Sequence, residues 1–497
     1  NQKTTRRARP QNARPTIGFL THGVADAFGS ALWRGVADEA LEQGANLLCF
    51  VGQSLSNPRG FEHQANVLYD LVHAESVGGL VISGILGEFI GREKVMEFYG
   101  HYRHLPLVET GLTLEGIPSV IADNRSGMRD LIVHLIGVHG CRRIAFIRGP
   151  EGSQDVEERY RAYTDTLAEY GLPLDLDLVV RGDNQLPSGV TAMNLLLDER
   201  QVEFEAVVAN NDNMALGVLQ ALQARGIRVP HGVAVVGFDD IEESRDVTPP
   251  LTTVRYPVYA SGRRPVEILL AQLQGKVVPE QVTLPTELVV RRSCGCLNPV
   301  VTQAAVGPMT RTGETFEVAL PAQRKHISSE MAQAVEASTI APERVEQLVD
   351  AFAIDLEEKL PGAFLAALDE VLRQVVAAGG DVAAWQGALS VLRRHTLPYL
   401  EGDEAVRRAE DLWGQGRVMV GDAAQRAQAY RRLRDEQQAQ SLREIGQVLA
   451  ASPDVTGLME VVARELPRLG IPSCYLSLYE NPNSPAEWSR LMLAYTE

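Results

Sequence analysis

"AVVANNDNMALGVLQALQARGIRVPHGVAVVGFDD", running from Ala206 to Asp240, is the stretch on which the fold turns. An apolar run, AVVA, ends in four consecutive amide or acid side chains: Asn210, Asn211, Asp212 and Asn213. A helix-forming stretch follows, and then a second apolar run that ends in Asp239 and Asp240. Short continuous apolar runs on either side of a helix indicate parallel strands covered on both faces. Ligands of such sheets sit outside the strand carboxyl ends, which is where these polar residues stand.

The same alternation extends from Pro15 to about Pro299. Its strand candidates are TIGFLT, ANLLCFV, GGLVIS, LPLVET, SVIADN, RIAFIRG, LVVRGD, AVVANN and VAVVGFDD. Helical stretches such as GSALWRGVADEALEQG and SGMRDLIVHLIGVHG lie between them. A pattern this long predicts two doubly wound lobes, not one sheet. Polar constellations close several of the runs: Asp123 and Asn124, Asp183 and Asn184, the Asn210–Asn213 cluster, and Asp239 with Asp240. Arg159 adds a cation at the start of an amphipathic helix. Singly, each is explained by capping, turn formation or surface exposure. Together they suit a polar small molecule, because carboxylates accept from hydroxyls, amides do both, and guanidinium donates in a planar fork. Phe28, Trp33 and Tyr256 are the aromatic candidates for covering the apolar face of such a ligand.

The order SVIADNRSG, VHLIGVHGCRRIAFIRGP, ERYRAY, VVANNDNMALGVLQALQARGIRVPHGVAVVGFDD and PPLTTVRYP resembles the effector-binding core of the lactose-repressor/ribose-binding-protein superfamily. The resemblance runs from Pro15 to about Arg292. It implies a periplasmic-binding-protein-like type I fold: two Rossmann-like lobes, three crossovers and a ligand closed between the lobes. It places the family's ligand-binding Arg, Asn and Asp at Arg159, Asn211 and Asp239. Asn184 falls where some members carry a covering aromatic, and Tyr256 falls at a pocket-lining position that can replace it. His22 and Phe28 belong to the first strand-to-helix loop, which faces the ligand. Asn211 is thus the expected ligand contact of the opening cluster, with Asp212 and Asn213 at the helix start and Asn210 unassigned. The boundaries read 15–298 for the sensor, with lobe 1 about 15–138 and 255–283 and lobe 2 about 139–254 and 284–293. A helix-turn-helix and hinge helix would precede Pro15 in a repressor; only the basic stretch of residues 1–14 stands there, read as a linker, so DNA contact is expected only through a missing domain.

Past Pro299 the texture changes. Residues 299–318 read as a connector loop, 319–424 as an all-α domain and 425–452 as a polar signalling helix. Residues 453–497 read as a truncated α+β segment, and SLREIGQVLAASPDVTGLMEVVARELPRLGIPSCYLSLYE resembles the start of a GAF domain. RRSCGC, closing the sensor, resembles the ending of repressor-like sensors fused to cytoplasmic signalling modules.

Net charge is −17, against nucleic-acid binding by the bulk of the chain. No run of about 18 uncharged apolar residues is present, so no transmembrane helix is expected. The odd cysteine count, 5, suggests reduced thiols and a cytoplasmic setting. Cys294 and Cys296 read as free thiols, because a CxC pair lacking two further ligands nearby makes no zinc site. SVGGLVISGILGE lacks the Lys-Ser/Thr of a phosphate loop, and LEGDEAVRR reads as a helix start. No Ser-His-Asp or HExxH pattern appears, so no catalytic, metal or cofactor site is expected.

The reading is a small-molecule sensor of a cytoplasmic signalling protein, a homodimer that binds a sugar- or nucleoside-like ligand and passes lobe closure through the helical connector to an output domain. The alternative is the effector-binding part of a repressor-type transcription regulator. A transport binding protein and an enzyme are the remaining rivals, disfavoured by the long C-terminal extension and by the missing motifs.

Overall fold

The computed structural model describes residues 14–496 except 26, 56–61, 88–89, 308–312, 336–340, 358–359, 453 and 480–488. The linker read over residues 1–14 lies outside the described residues up to position 13. Two compact units follow one another, the first running to Cys296 and the second beginning at Leu297.

The first unit opens with β1 (Thr16–Thr21), α1 (Ala27–Glu42), β2 (Asn46–Val51), β3 (Gly79–Ser83), α2 (Arg92–Gly100), β4 (Leu107–Thr110) and β5 (Ser119–Ala122). It continues with α3 (Asn124–Gly137), β6 (Ile144–Arg148), α4 (Gln154–Glu169), β7 (Val179–Arg181), α5 (Leu186–Asn194), β8 (Ala206–Ala209), α6 (Asp212–Ala224) and β9 (Ala234–Val236). It closes with α7 (Glu243–Asp246), β10 (Thr253–Arg255), α8 (Val258–Leu273), β11 (Gln281–Leu284) and β12 (Glu287–Val289). Each apolar run expected to be a strand is one.

Lobe 1 is a six-stranded sheet in the order β11-β5-β4-β3-β1-β2, and lobe 2 a four-stranded sheet in the order β7-β6-β8-β9. All these pairings are parallel. Alternate residues of a strand point to opposite faces, and the cores follow that rule. Ile144 and Phe146 of β6 join one core with α3 and α4, while Ala145 and Ile147 join another with α5 and α6. In lobe 1, Ile17 and Phe19 of β1 pack toward α1 and α8, and Leu20 packs toward Tyr69, Tyr99 and Tyr102. Both faces are covered, which is why these strands read as unbroken apolar runs.

The chain crosses between lobes three times: from β5 into α3, from β10 into α8, and from β11 into β12. The strand pair β10–β12 is antiparallel, Thr253 facing Val289 and Arg255 facing Glu287. The first crossing corrects the lobe boundary expected at 138. Met128, Leu131, Ile132 and Leu135 of α3 bury their side chains with Ile144, Phe146 and Tyr163, so α3 belongs to lobe 2.

Two helix pairs owe their closeness to glycine. A Cβ on Gly35 of α1 would stand 2.1 Å from the Tyr259 carbonyl oxygen, and one on Gly262 of α8 2.2 Å from that of Leu32. In lobe 2, Gly189 of α5 and Gly217 of α6 meet the Met214 and Leu186 carbonyl oxygens at 2.1 Å in the same way.

The second unit contains α9 (Pro299–Gln303), α10 (Phe316–Ala334), α11 (Pro342–Leu356), α12 (Ala363–Ala377), α13 (Trp385–Thr396), α14 (Gly402–Ala450) and α15 (Val455–Glu465). Strands β13 (Ser473–Tyr479) and β14 (Ser489–Thr496) pair after them. The span read as a connector loop, 299–318, holds α9 and the first residues of α10. The core gathers Phe352, Phe364, Leu368, Trp385, Leu389 and Trp413, with Phe352 stacked on Trp413 at 5.5 Å and 14°. The boundary expected at 424/425 is also corrected, because α14 is one continuous helix of 49 residues. Gly416, inside this helix, packs against Leu368, Leu389 and Phe364. The helix is anchored by Leu412, Trp413 and Val420 and is exposed from Gln428 to Gln440. Among the described residues, no helix is long and apolar enough to cross a membrane.

Gly217→Ala is expected to destabilise the first unit by about 1–3 kcal/mol or more in a denaturant titration, because α5 and α6 must move apart. Gly137→Ala in α3, where a Cβ meets nothing within 4 Å, should be neutral or stabilising by up to about 1 kcal/mol. Equal effects of the two substitutions would contradict this packing.

Candidate ligand-binding cleft

The strand ends of both lobes surround one cavity of about 430 Å³. Lobe 1 contributes His22 from the β1–α1 loop, Phe28 from the first turn of α1, Ser83 from the end of β3 and Thr110 from the end of β4. Lobe 2 contributes Asp155 and Arg159 of α4, Asn184 after β7, Asn210 and Asn211 after β8, and Asp239 after β9. Tyr256, at the crossing into α8, completes the lining. His22, Phe28, Arg159, Asn184, Asn211, Asp239 and Tyr256, the residues singled out in the sequence, therefore all border the same cavity.

Arg159 organises this wall. Only 5% of it is exposed, so its charge must be met by protein groups. Its Nε donates to Asn124 Oδ1 at 2.8 Å, and its Nη1 donates to the Asn210 carbonyl oxygen at 2.7 Å. Nη2 lies 3.5 Å from Asp239 Oδ1 and 4.0 Å from Asp155 Oδ2. The guanidinium plane rests over the Phe238 ring at 3.7 Å. Asn124 in turn donates its Nδ2 to Asp155 Oδ1 at 2.9 Å, which fixes the orientation of its amide. The cation is thus held in place with its face on Phe238 and its Nη2 edge toward Asp239.

The backbone around the site is in left-handed conformations. Asn184 has φ 65, Asp239 φ 116 and Asp240 φ 59. Such geometry costs on the order of 1–3 kcal/mol per non-glycine residue and persists only where neighbours enforce it. Here the Asp239 amide donates to the Val254 carbonyl at 2.8 Å. The Asp240 carboxylate accepts from Arg255 Nε at 2.9 Å and is paired with Arg291, so it faces away from the cavity.

The opening cluster divides its work differently from the expectation. Asn211 is the N-cap of α6: its Oδ1 accepts from the Met214 amide at 3.1 Å, and its Nδ2 donates to the Asn184 carbonyl at 3.0 Å. The capping role assigned to Asp212 and Asn213 therefore falls to Asn211. Asp212 is fully buried and accepts from Ser244 Oγ, Thr253 Oγ1 and the Ile241 amide. Asn213 borders the cavity. Asn210, left unassigned, is the cluster's central residue: its carbonyl holds Arg159, and its Nδ2 donates to Asn184 Oδ1 at 3.0 Å. Its Oδ1 is buried with no hydrogen-bond partner, as is Ser83 Oγ. Both residues line the cavity, where a ligand donor can reach them. Ser83 and Thr110 carried the same signal as the others, a polar residue closing an apolar run.

Phe28 and Tyr256 meet with ring centroids 5.7 Å apart and supply an apolar patch. Trp33 does not: its indole N–H donates to Cys49 Sγ at 3.2 Å, away from the cavity lining.

Burial sets the charge state of two carboxyls. Burial, opposed by Arg159 and reinforced by Asp155, pushes Asp239 up to about 6. Burial and then the nearby Asp239 charge push Asp212 up to about 7, against the pull of its hydroxyl and amide donors.

Residues 133–294 match the periplasmic binding protein-like domain family. The HTH-type transcriptional repressor MelR of Bacillus subtilis (strain 168) is 30% identical over 308 residues, covering 60% of this chain and 84% of its own. The HTH-type transcriptional regulator CelR of Thermobifida fusca is 35% identical over 259 residues, covering 50% and 75%. The HTH-type transcriptional repressor CytR of Escherichia coli (strain K12) is 30% identical over 292 residues, covering 58% and 81%. Among solved structures, the lac repressor dimer bound to operator and the anti-inducer ONPF is 25% identical with a TM-score of 0.50, covering 57% of this chain and 95% of that chain.

The raised carboxyls have a consequence for pH. The folded state keeps protons that the unfolded chain, with an ordinary Asp near 3.8, releases as pH rises from about 4 to 7. Their contribution to stability therefore falls with rising pH across that window. Asp239→Asn should flatten the stability profile between about pH 4 and 6, by on the order of 1–3 kcal/mol in total. Parallel profiles of variant and wild type in urea titrations would refute the placement of this carboxyl.

Proposed function

The chain belongs to the LacI family of transcriptional regulators, and from that footing we propose that residues 15–298 are the effector-binding core of a repressor-type regulator. Its relatives are regulators, not enzymes. One observation carries the proposal: residues of both lobes converge on a single cavity around the buried Arg159–Asp239 pair. Asp239 and Asn210 Oδ1 accept from ligand hydroxyls, Arg159 and the amides donate, and Phe28 with Tyr256 covers an apolar face. That combination selects a polyhydroxylated molecule, a sugar foremost and a nucleoside next, and a cavity of about 430 Å³ suits either.

A ligand that contacts both lobes stabilises their closed arrangement by its differential affinity for it, and closure is the signal passed on. The solved lac repressor is a dimer on operator DNA, and this reading takes the present chain as a cytoplasmic homodimer whose DNA contact is made by a segment other than the two lobes. The second unit favours a further reading, the sensor of a signalling protein. In that reading the helical bundle and its 49-residue helix relay movement to a GAF-like module that starts with α15 and the β13–β14 pair, and through it to an output domain.

A thermal-shift screen against sugars and nucleosides tests the core proposal, since binding raises stability by mass action. One class should raise the melting temperature. Asp239→Ala and Arg159→Ala should each abolish that rise while the ligand-free protein still unfolds cooperatively. Unchanged ligand affinity in both variants would overturn the site.

A further inference from the structure

Helix α3 carries His134 in its last turn, and the chain leaves the helix through His139. The last residues of the first unit, Cys294 and Cys296, come back to the same place from 157 residues away in sequence. His134 Nε2 lies 3.5 Å from Cys294 Sγ and 3.6 Å from Cys296 Sγ. His139 Nε2 lies 3.4 Å from Cys296 Sγ. One ligand atom from each of the four residues lies within 4.8 Å of all the others. We propose that His134, His139, Cys294 and Cys296 bind one zinc ion in a closed, tetrahedral Cys₂His₂ site that clamps the end of the sensor unit to α3.

Geometry carries this. With Zn–S about 2.3 Å and Zn–N about 2.0–2.1 Å, the S-to-N edge of a tetrahedron comes to roughly 3.6 Å. The observed separations of 3.4, 3.5 and 3.6 Å match that edge. Thiol–imidazole hydrogen bonds satisfy the cluster less well. An imidazole nitrogen offers one proton or one lone pair, yet His134 Nε2 faces both sulfurs while Cys296 faces both rings. One cation satisfies all four donors at once, and two thiolates with two imidazoles select zinc over harder divalent ions.

The surroundings are arranged for it. Gly295, between the cysteines, sits at φ 114, and a side chain there would meet His139 Cε1 at 3.1 Å. Glycine lets the two sulfurs turn toward the rings. Thr252 Oγ1 donates to Cys294 Sγ at 3.2 Å, the type of outer hydrogen bond that orients and steadies a thiolate ligand. Four protein donors leave no open position, so the ion is structural, not catalytic. It pins the exit of the first unit to the same helix whose first residue, Asn124, holds Arg159 in the cleft. On this proposal the two further ligands that the CxC pair lacks in its neighbouring sequence are supplied by the fold.

The test is metal content of the chain purified under reducing conditions without added chelator. One zinc per chain is expected, with loss of the ion and a lower melting temperature after a strong chelator. Cys296→Ser and His139→Ala should each release it. Cobalt in place of zinc should give tetrahedral ligand-field bands and thiolate charge transfer. His139→Cys should keep the metal and strengthen the charge-transfer band, a gain that a damaged fold cannot produce. The His326, Glu330 and His395 group serves as control, and His395→Gln should leave zinc content unchanged. A metal-free chain with all 5 cysteines reactive as thiols overturns the proposal, as does a disulfide joining Cys294 or Cys296. So does zinc that survives the double Cys294→Ser, Cys296→Ser variant.

Discussion

A buried guanidinium sets the terms for the first unit. Removing Arg159 from water is costly unless its donors are met, and they are met by groups from three separate segments: Asn124 after β5, the Asn210 carbonyl after β8, and Asp239 after β9. Because those segments are bound to one rigid, planar side chain, their mutual positions are settled before any ligand arrives. The cavity is preorganised as a by-product of solving a desolvation problem. The same burial raises Asp239 toward about 6 even though Arg159 pulls the other way, so the carboxyl that faces the cavity is poised, not locked, in its charged form.

That arrangement has a backbone cost, visible in the left-handed residues Asn184, Asp239 and Asp240. The offset is local. Asp240 is anchored by Arg255 and Arg291, and Asp212 collects three donors beneath the start of α6. Gly237 makes the second of these possible, since a Cβ there would stand 2.1 Å from Asp212 Oδ1. Asp212, Asp239 and Asp240 thus do different work: Asp239 faces the cavity, and Asp212 and Asp240 hold the loops that aim it.

The second unit solves a simpler problem, the burial of amphipathic helix faces around Phe352, Trp385 and Trp413. Its long helix α14 is anchored in that core and continues as an exposed rod, because the apolar spacing that buries Ala409, Leu412, Trp413 and Val420 is absent from residues 428–440. The helix joins the bundle to α15, the next element in sequence.

Much of the fold was legible because it rests on local pattern. Unbroken apolar runs must be strands covered on both faces, and polar residues closing them must collect at one edge of each sheet, which made Asn184, Asn211 and Asp239 visible as strand-end residues; Arg159, inside α4, was picked out by the family resemblance and not by that pattern. The short strands β10 and β12 were not, since three residues at a crossing carry no period of their own. Composition and spacing likewise determined that a helical region lies beyond residue 319, though not the short helix α9 before it. Only tertiary structure decided which amide caps α6, since Asn210, Asn211 and Asn213 are chemically equal until the backbone turns. It decided that α3 packs in lobe 2, because an apolar helix face in a sequence does not name the sheet that covers it. It also decided that His134 and His139 meet Cys294 and Cys296, because convergence of segments so distant in sequence is a property of packing, which no local spacing encodes.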